Sequence, residues 1–222
     1  MRIIFEFSKL GRLRFISHLD LQRFMQKALR RARLPVNFSQ GYSPHPQISF
    51  ASALAMGYTS ECELLDVKLA GLVNLKSAMK QFAFALPPEM PLGAARLVDD
   101  SHPSLSSMLK CADYRIEFPD GGIEEMSEAA EGYMAEHSVV ALRKTKSGEK
   151  PADIRAMTLS LERESNNTLY ARLMLTEAAT LKPDLLIAVL SERVDFTPDD
   201  VRVHRTALLG ERGGYTINLI DI

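Results

Sequence analysis

The sequence predicts an α+β protein, and three observations carry that prediction. Segments with a helical apolar period alternate with segments of strand period along the whole chain. In residues 1–110 these elements run strand, helix, strand, strand, helix, strand, which is the split βαβ order of a ferredoxin-like domain. Residues 111–222 can be read the same way with one strand more, so the 222-residue chain is expected to hold two tandem ferredoxin-like (βαββαβ) domains with a boundary near Lys110.

Residues 2–8 place Ile3, Phe5 and Phe7 on one side of a strand. Gly11 breaks it, and residues 13–16 are expected to be extended on the way to the first helix. There Leu21, Phe24, Met25, Ala28, Leu29 and Ala32 form one apolar stripe. Ser17 and Asp20 have the spacing of an N-cap and its acidic partner, with Ile16 and Leu21 at the hydrophobic-staple positions. Residues 34–46, LPVNFSQGYSPHP, have no usable period and read as a long ordered loop. Strands follow at 47–55 and 61–69, with Leu65, Val67 and Leu69 on one face of the second. Asn74 caps a helix to about Leu86, with Leu75, Met79, Phe82 and Ala83 as its stripe. Pro87-Pro88 ends it, and residues 92–99 close the first set.

In the second half, 112–118 is a strand, Gly121-Gly122 a turn and 124–137 an acidic helix. Strands at 139–142, 154–162 and 169–175 follow, the last two joined as a hairpin through Asn166-Asn167. Residues 144–151, KTKSGEKP, read as a polar connector. Pro183 opens a helix to about Leu190, and residues 201–208 form the final strand.

Charge is distributed unevenly. Residues 9–33 carry eight Lys or Arg against Asp20 alone, a net of +7 in a chain whose total is −1, which leaves −8 elsewhere. Arg12 and Arg14 lie in the lead-in, and Arg23, Lys27, Arg30 and Arg31 share the polar face of the first helix. A one-signed face of this kind concentrates anions and suits phosphate-bearing partners such as RNA; the alternative is a solvated helix surface. The apolar fraction of 46% supports a real core, and no apolar run reaches the roughly 18–20 residues of a membrane span. The N-terminus lacks a signal-peptide cleavage pattern and reads as a strand. Two cysteines, Cys62 and Cys111, lie far apart, which fits a reducing cytoplasm and offers no zinc or iron–sulfur ligand spacing.

Ser17, His18 and Asp20 invite a catalytic-triad reading, but capping alone explains the serine and the aspartate. His18, at the first helical position, presents an imidazole where the macrodipole is positive, as an anion contact, an acid–base group or a structural ring. The SQGYSPHP loop is the stronger candidate. Gly41 permits close backbone approach, prolines flank His45, and Gln40 and Tyr42 offer polar groups and an aromatic face. A rigid structural loop is the other reading of the same residues. His18 and His45 could together form the acid–base pair of a metal-free RNA-processing or RNA-modifying enzyme. No CxxxCxxC cluster, Walker loop or GxGxxG occurs, and no metal-ligand spacing is present. Asp100-Ser101-His102 begins like a DxHxxG cobalamin signature, but Leu105 stands where the glycine belongs.

Read together, SHLDLQRFMQKALRRARLP and SQGYSPHPQISFASALAMGYTSECELLD resemble the bacterial radical-SAM-linked family. This is a domain of unknown function fused to, or encoded beside, cobalamin-type radical S-adenosylmethionine proteins. The matching positions are Ser17, His18, Leu19, Asp20, Arg23, Arg30, Arg31, Ala32 and Pro35 in the first run. Ser39, Gln40, Gly41, Pro44, His45, Pro46, Gly57, Ser60, Glu63 and Asp66 match in the second. Tyr42, Ser43 and Ala53 depart mildly from the pattern. The resemblance covers about a third of the chain. It implies association with a radical SAM protein in RNA-related metabolism, and no established activity. The expectation is a cytoplasmic, non-catalytic RNA-binding or accessory module with no cofactor, metal or membrane partner. Arg12, Arg14, His18, Arg23, Lys27, Arg30, Arg31, Gln40, Gly41, Tyr42 and His45 are its candidate contacts. The alternatives are the His18–His45 enzyme and a protein-interaction subunit of a radical SAM protein.

Overall fold

The computed structural model describes residues 1–145 and 148–222 and shows a mixed α/β chain. It divides into two compact units, one of residues 1–109 and 210–222, the other of residues 110–209.

The first unit runs β1 (Arg2–Lys9), α1 (His18–Arg31), β2 (Ile48–Phe50), β3 (Thr59–Lys68), α2 (Leu75–Phe84), β4 (Leu92–Val98) and the short α3 (Leu105–Met108). β1 lies between β4 and β3, antiparallel to both, and β2 pairs antiparallel with the far side of β3. The strand period of β1 puts Ile3, Phe5 and Phe7 on the face covered by the helices, where all three are fully buried. Leu21, Met25, Ala28 and Leu29 of α1 and Ala78 and Phe82 of α2 complete this core, with the Phe5 and Phe82 rings 4.7 Å apart. Truncating a side chain as buried as Met25 costs about 2–5 kcal/mol.

Both helix starts are built as their sequences require. Ser17 Oγ accepts the Asp20 amide at 3.2 Å, and Asn74 Oδ1 accepts the Ser77 amide at 3.0 Å. Helix α1 ends in a Schellman motif: the Leu34 amide reaches the Leu29 carbonyl and the Arg33 amide the Arg30 carbonyl. Arg33 takes the left-handed position of that motif, with φ of 55°.

Two expectations for this unit change. Residues 13–16 are not extended: Gly11, at φ of 54°, turns the chain into a 3-10 helix over Gly11–Phe15, closed by the Leu13 and Ile16 amides. The strand expected at 47–55 shortens to β2, because the Gly57 amide turns back to the Arg14 carbonyl at 2.8 Å and pulls the segment out of the ladder.

The second unit holds β5 (Leu109–Glu117, within the unit from Lys110), α4 (Ile123–Ala135), β6 (Val140–Thr145), β7 (Gly148–Asp153), β8 (Thr158–Arg163), β9 (Thr168–Met174), α5 (Pro183–Val194) and most of β10 (Arg202–Arg212). The order across its sheet is β10, β5, β9, β8, with β5–β9 and β8–β9 antiparallel. Helices α4 and α5 pack together. Tyr133 of α4 is buried, and its hydroxyl lies 2.8 Å from Thr158 Oγ1, which donates to the Ile154 carbonyl. Arg155 donates to the Met134 carbonyl and so places a cation at the negative end of α4. Gly122 begins α4 at φ of 88° with the Phe196 ring where a side chain would stand.

The connector expected at 144–151 is mostly strand: β6 and β7 pair antiparallel, with residues 146 and 147 outside the described set. The strand expected from Ile154 begins four residues later, since the Asp153 carboxylate and the Ile154 carbonyl hold 153–158 in a turn. After β10 the chain enters the first unit again, forming β11 (Tyr215–Asn218) and a final 3-10 turn.

Candidate functional site

Burial of the apolar stripe of α1 forces its polar residues outward. Arg23, Lys27, Arg30 and Arg31 are all exposed. Arg30 and Arg31 stand in the last turn, where the macrodipole favours cations. Their surroundings differ. Arg23 has Asp20 Oδ1 at 3.4 Å, an exposed i,i+3 pair that offsets part of its charge. Arg31 donates to the Ala85 carbonyl at 2.9 Å at the end of α2, with its guanidinium over the Phe24 ring. Lys27 and Arg30 have no hydrogen-bond or ion-pair partner among the described residues.

Arg12 and Arg14 project from the 3-10 helix that leads into α1, and Arg14 covers the exposed ring of Phe15 at 4.7 Å. Leu19, one turn on, is also exposed. His18 is half-buried with its ring edge-on to Phe50 of β2 at 5.0 Å, and Phe50 in turn meets Phe7 of the core at 6.2 Å. A structural contact therefore fixes one side of this imidazole.

The loop of residues 34–46 is pinned at its base and free at its tip. Val36 bridges Leu69 and Phe38 bridges Pro46, while the Asn37 side chain donates to Gln47 at 2.7 Å. Ser39 then organises His45: its Oγ accepts the His45 amide at 3.1 Å and lies 2.9 Å from Nδ1, and the Ser39 amide donates to the His45 carbonyl. Beyond this clamp Gln40, Gly41, Tyr42 and His45 are exposed, and Gly41 has φ of 121° with open space where a Cβ would point. No hydrogen bond or ring contact joins His18 to His45 among the described residues.

Behind the loop, β2 pairs Ser49 with Asp66 of β3. Burial pushes the Asp66 carboxyl up from its ordinary range, while Arg2, whose Nη2 is 3.5 Å away, pulls it back down. Among the described residues no group of three or more His, Cys, Asp or Glu is placed to hold a metal ion. No described helix is long and apolar enough to cross a membrane. Phe15, Leu19 and Phe50, which the charge count passes over, surround the basic lead-in and His18. For Phe15 and Leu19 the signal in the sequence is apolar side chains interleaved with the cations of residues 12–19; Phe50 has no such signal.

No curated protein matches the chain. A bacterial family description matches residues 2–183, spanning α1, the SQGYSPHP loop and most of both units. On that match the chain belongs to the family described as "Uncharacterized protein conserved in bacteria (DUF2344)".

Proposed function

We propose that the chain is a non-catalytic RNA-binding accessory module, serving the radical SAM enzyme that its sequence resemblance implies. The observation that supports this best is the exposed face of α1, where Lys27 and Arg30 lack acidic partners among the described residues and Arg23 is only partly offset. Cations held this way bind a phosphate backbone by releasing its counterions. The exposed Phe15 and Tyr42 rings add surfaces on which unpaired bases stack.

Each unit follows its strands in the order that a ferredoxin-like fold uses, with the helices on one face in the first unit, so we read the architecture as two such domains. The fold alone selects no activity. The acid–base reading of His18 and His45 gains no comparable support, since one ring packs on Phe50 and the other is clamped by Ser39. Purification of the native protein at low salt tests the proposal. RNase-sensitive absorbance at 260 nm should travel with the protein, and mass spectrometry of the same fractions should find a radical SAM protein. Fractions with neither would contradict it.

A further inference from the structure

We infer that the groove between the end of α1 and α2 takes one unpaired nucleotide, its base on Phe84 and its phosphate between Arg33 and Lys80. The inference rests on the RNA-binding reading and extends it to a place that reading does not use. The groove encloses about 490 Å³ and is lined by Arg31, Ala32, Arg33, Lys80, Gln81 and Phe84, none of them acidic. Helix α2 has no acidic residue at all.

Helical spacing builds the site. Phe82 faces the core and is fully buried, so Phe84, two residues on, turns away and stands 93% exposed. Lys80 precedes Phe84 by one turn and shares its face. An apolar ring held in water between cations is the arrangement that stacks a base and holds the adjoining phosphate. Arg33 adds an independent observation. It occupies the left-handed position of the Schellman motif, where glycine is the usual residue and a side chain is strained. The backbone gains nothing from arginine there, whereas the groove gains a cation on a rigid mount.

The test uses the full chain, a fluorescein-labelled single-stranded oligouridylate and fluorescence anisotropy at several salt concentrations. Phe84→Ala should weaken binding about tenfold with the salt slope unchanged. Lys80→Gln and Arg33→Gly should each lower the slope by about 0.7. Arg33→Gly should also raise the melting temperature, so its loss of affinity cannot come from unfolding. If these three variants bind as wild type does while Arg30→Glu binds weakly, the groove proposal fails and the α1 reading stands. If wild type binds no RNA at low salt, both fail. Displacement of the oligouridylate by polyglutamate that Lys80→Gln and Arg33→Gly weaken and Phe84→Ala leaves unaffected would assign the groove to an acidic protein and overturn the nucleotide.

Discussion

Ser39 holds His45 by two atoms, its Oγ accepting the His45 amide at 3.1 Å while lying 2.9 Å from Nδ1. Nδ1 also lies 3.4 Å from the Ser43 carbonyl, so groups of the loop itself occupy this nitrogen and Nε2 is the ring atom left to a ligand. The hydroxyl thus acts as a positioning group for an exposed imidazole at the loop tip.

From this arrangement, His45→Gln should weaken RNA affinity only a few-fold, because glutamine still donates a hydrogen bond. Ser39→Ala should produce a similar loss by releasing the ring. The isolated chain should show no turnover. If His45 transferred protons, His45→Gln would lower turnover by about 100-fold with little change in affinity. RNA incubated with the protein and a chelator, then analysed for cleavage and base modification, separates the two outcomes.

The cap of α1 makes a prediction about stability alone. Ser17 Oγ accepts the Asp20 amide and donates to Asp20 Oδ2 at 2.7 Å. Ser17→Ala should therefore cost about 1 kcal/mol. In a chain of this size that lowers the melting temperature by about 2–4 °C, followed by circular dichroism. RNA binding well below melting should be unaffected. Lost binding without a melting shift would mean that the hydroxyl contacts the ligand itself.

The second unit has a pH signature of its own. Burial pushes the Tyr170 phenol up to about 12, reinforced by the Asp113 carboxylate, which Arg172 grips through two bonds of 2.7 and 2.8 Å. The folded state thus keeps the phenolic proton after the unfolded chain has lost it at about 10. Stability must then fall as pH rises from about 10 to about 12. Tyr170→Phe should flatten that alkaline loss in denaturant titrations at successive pH values. An unchanged slope would show that Tyr170 ionises alike in both states.

Much of the first unit was legible in the sequence because its signals are local. The i, i+3, i+4 stripe of α1, the Ser17 and Asn74 caps and the period of β1 each lie within a few residues of the element they specify. What was not legible depends on distant partners. The β6–β7 pairing runs past the strand expected at 139–142 into polar residues that read as a connector and carry no strand period, so the pairing of the two strands defines them. The stunted β2 follows from the Gly57–Arg14 bond, which the local apolar run cannot reveal. At the candidate site, the charge count finds every cation of α1 but not which are already engaged, as Arg23 is by Asp20 and Arg31 by Ala85. Phe84 did leave a trace, as an aromatic outside the predicted stripe of α2.

The salt dependence of RNA binding by wild type and by Arg30→Glu tests the central claim most directly. Arg30 is exposed and lacks an acidic partner among the described residues, so its reversal should cost the helix no more than about 1 kcal/mol through the macrodipole and leave the fold intact. Anisotropy with a labelled RNA should show wild-type affinity falling linearly with salt on logarithmic axes. Arg30→Glu should be weaker by about tenfold at low salt, with the slope reduced by about one. Arg23→Glu should lose less, because Asp20 already offsets Arg23 at 3.4 Å. Wild-type binding that ignores salt, or an Arg30→Glu protein that binds as tightly as wild type, would contradict an RNA-binding role for the α1 face.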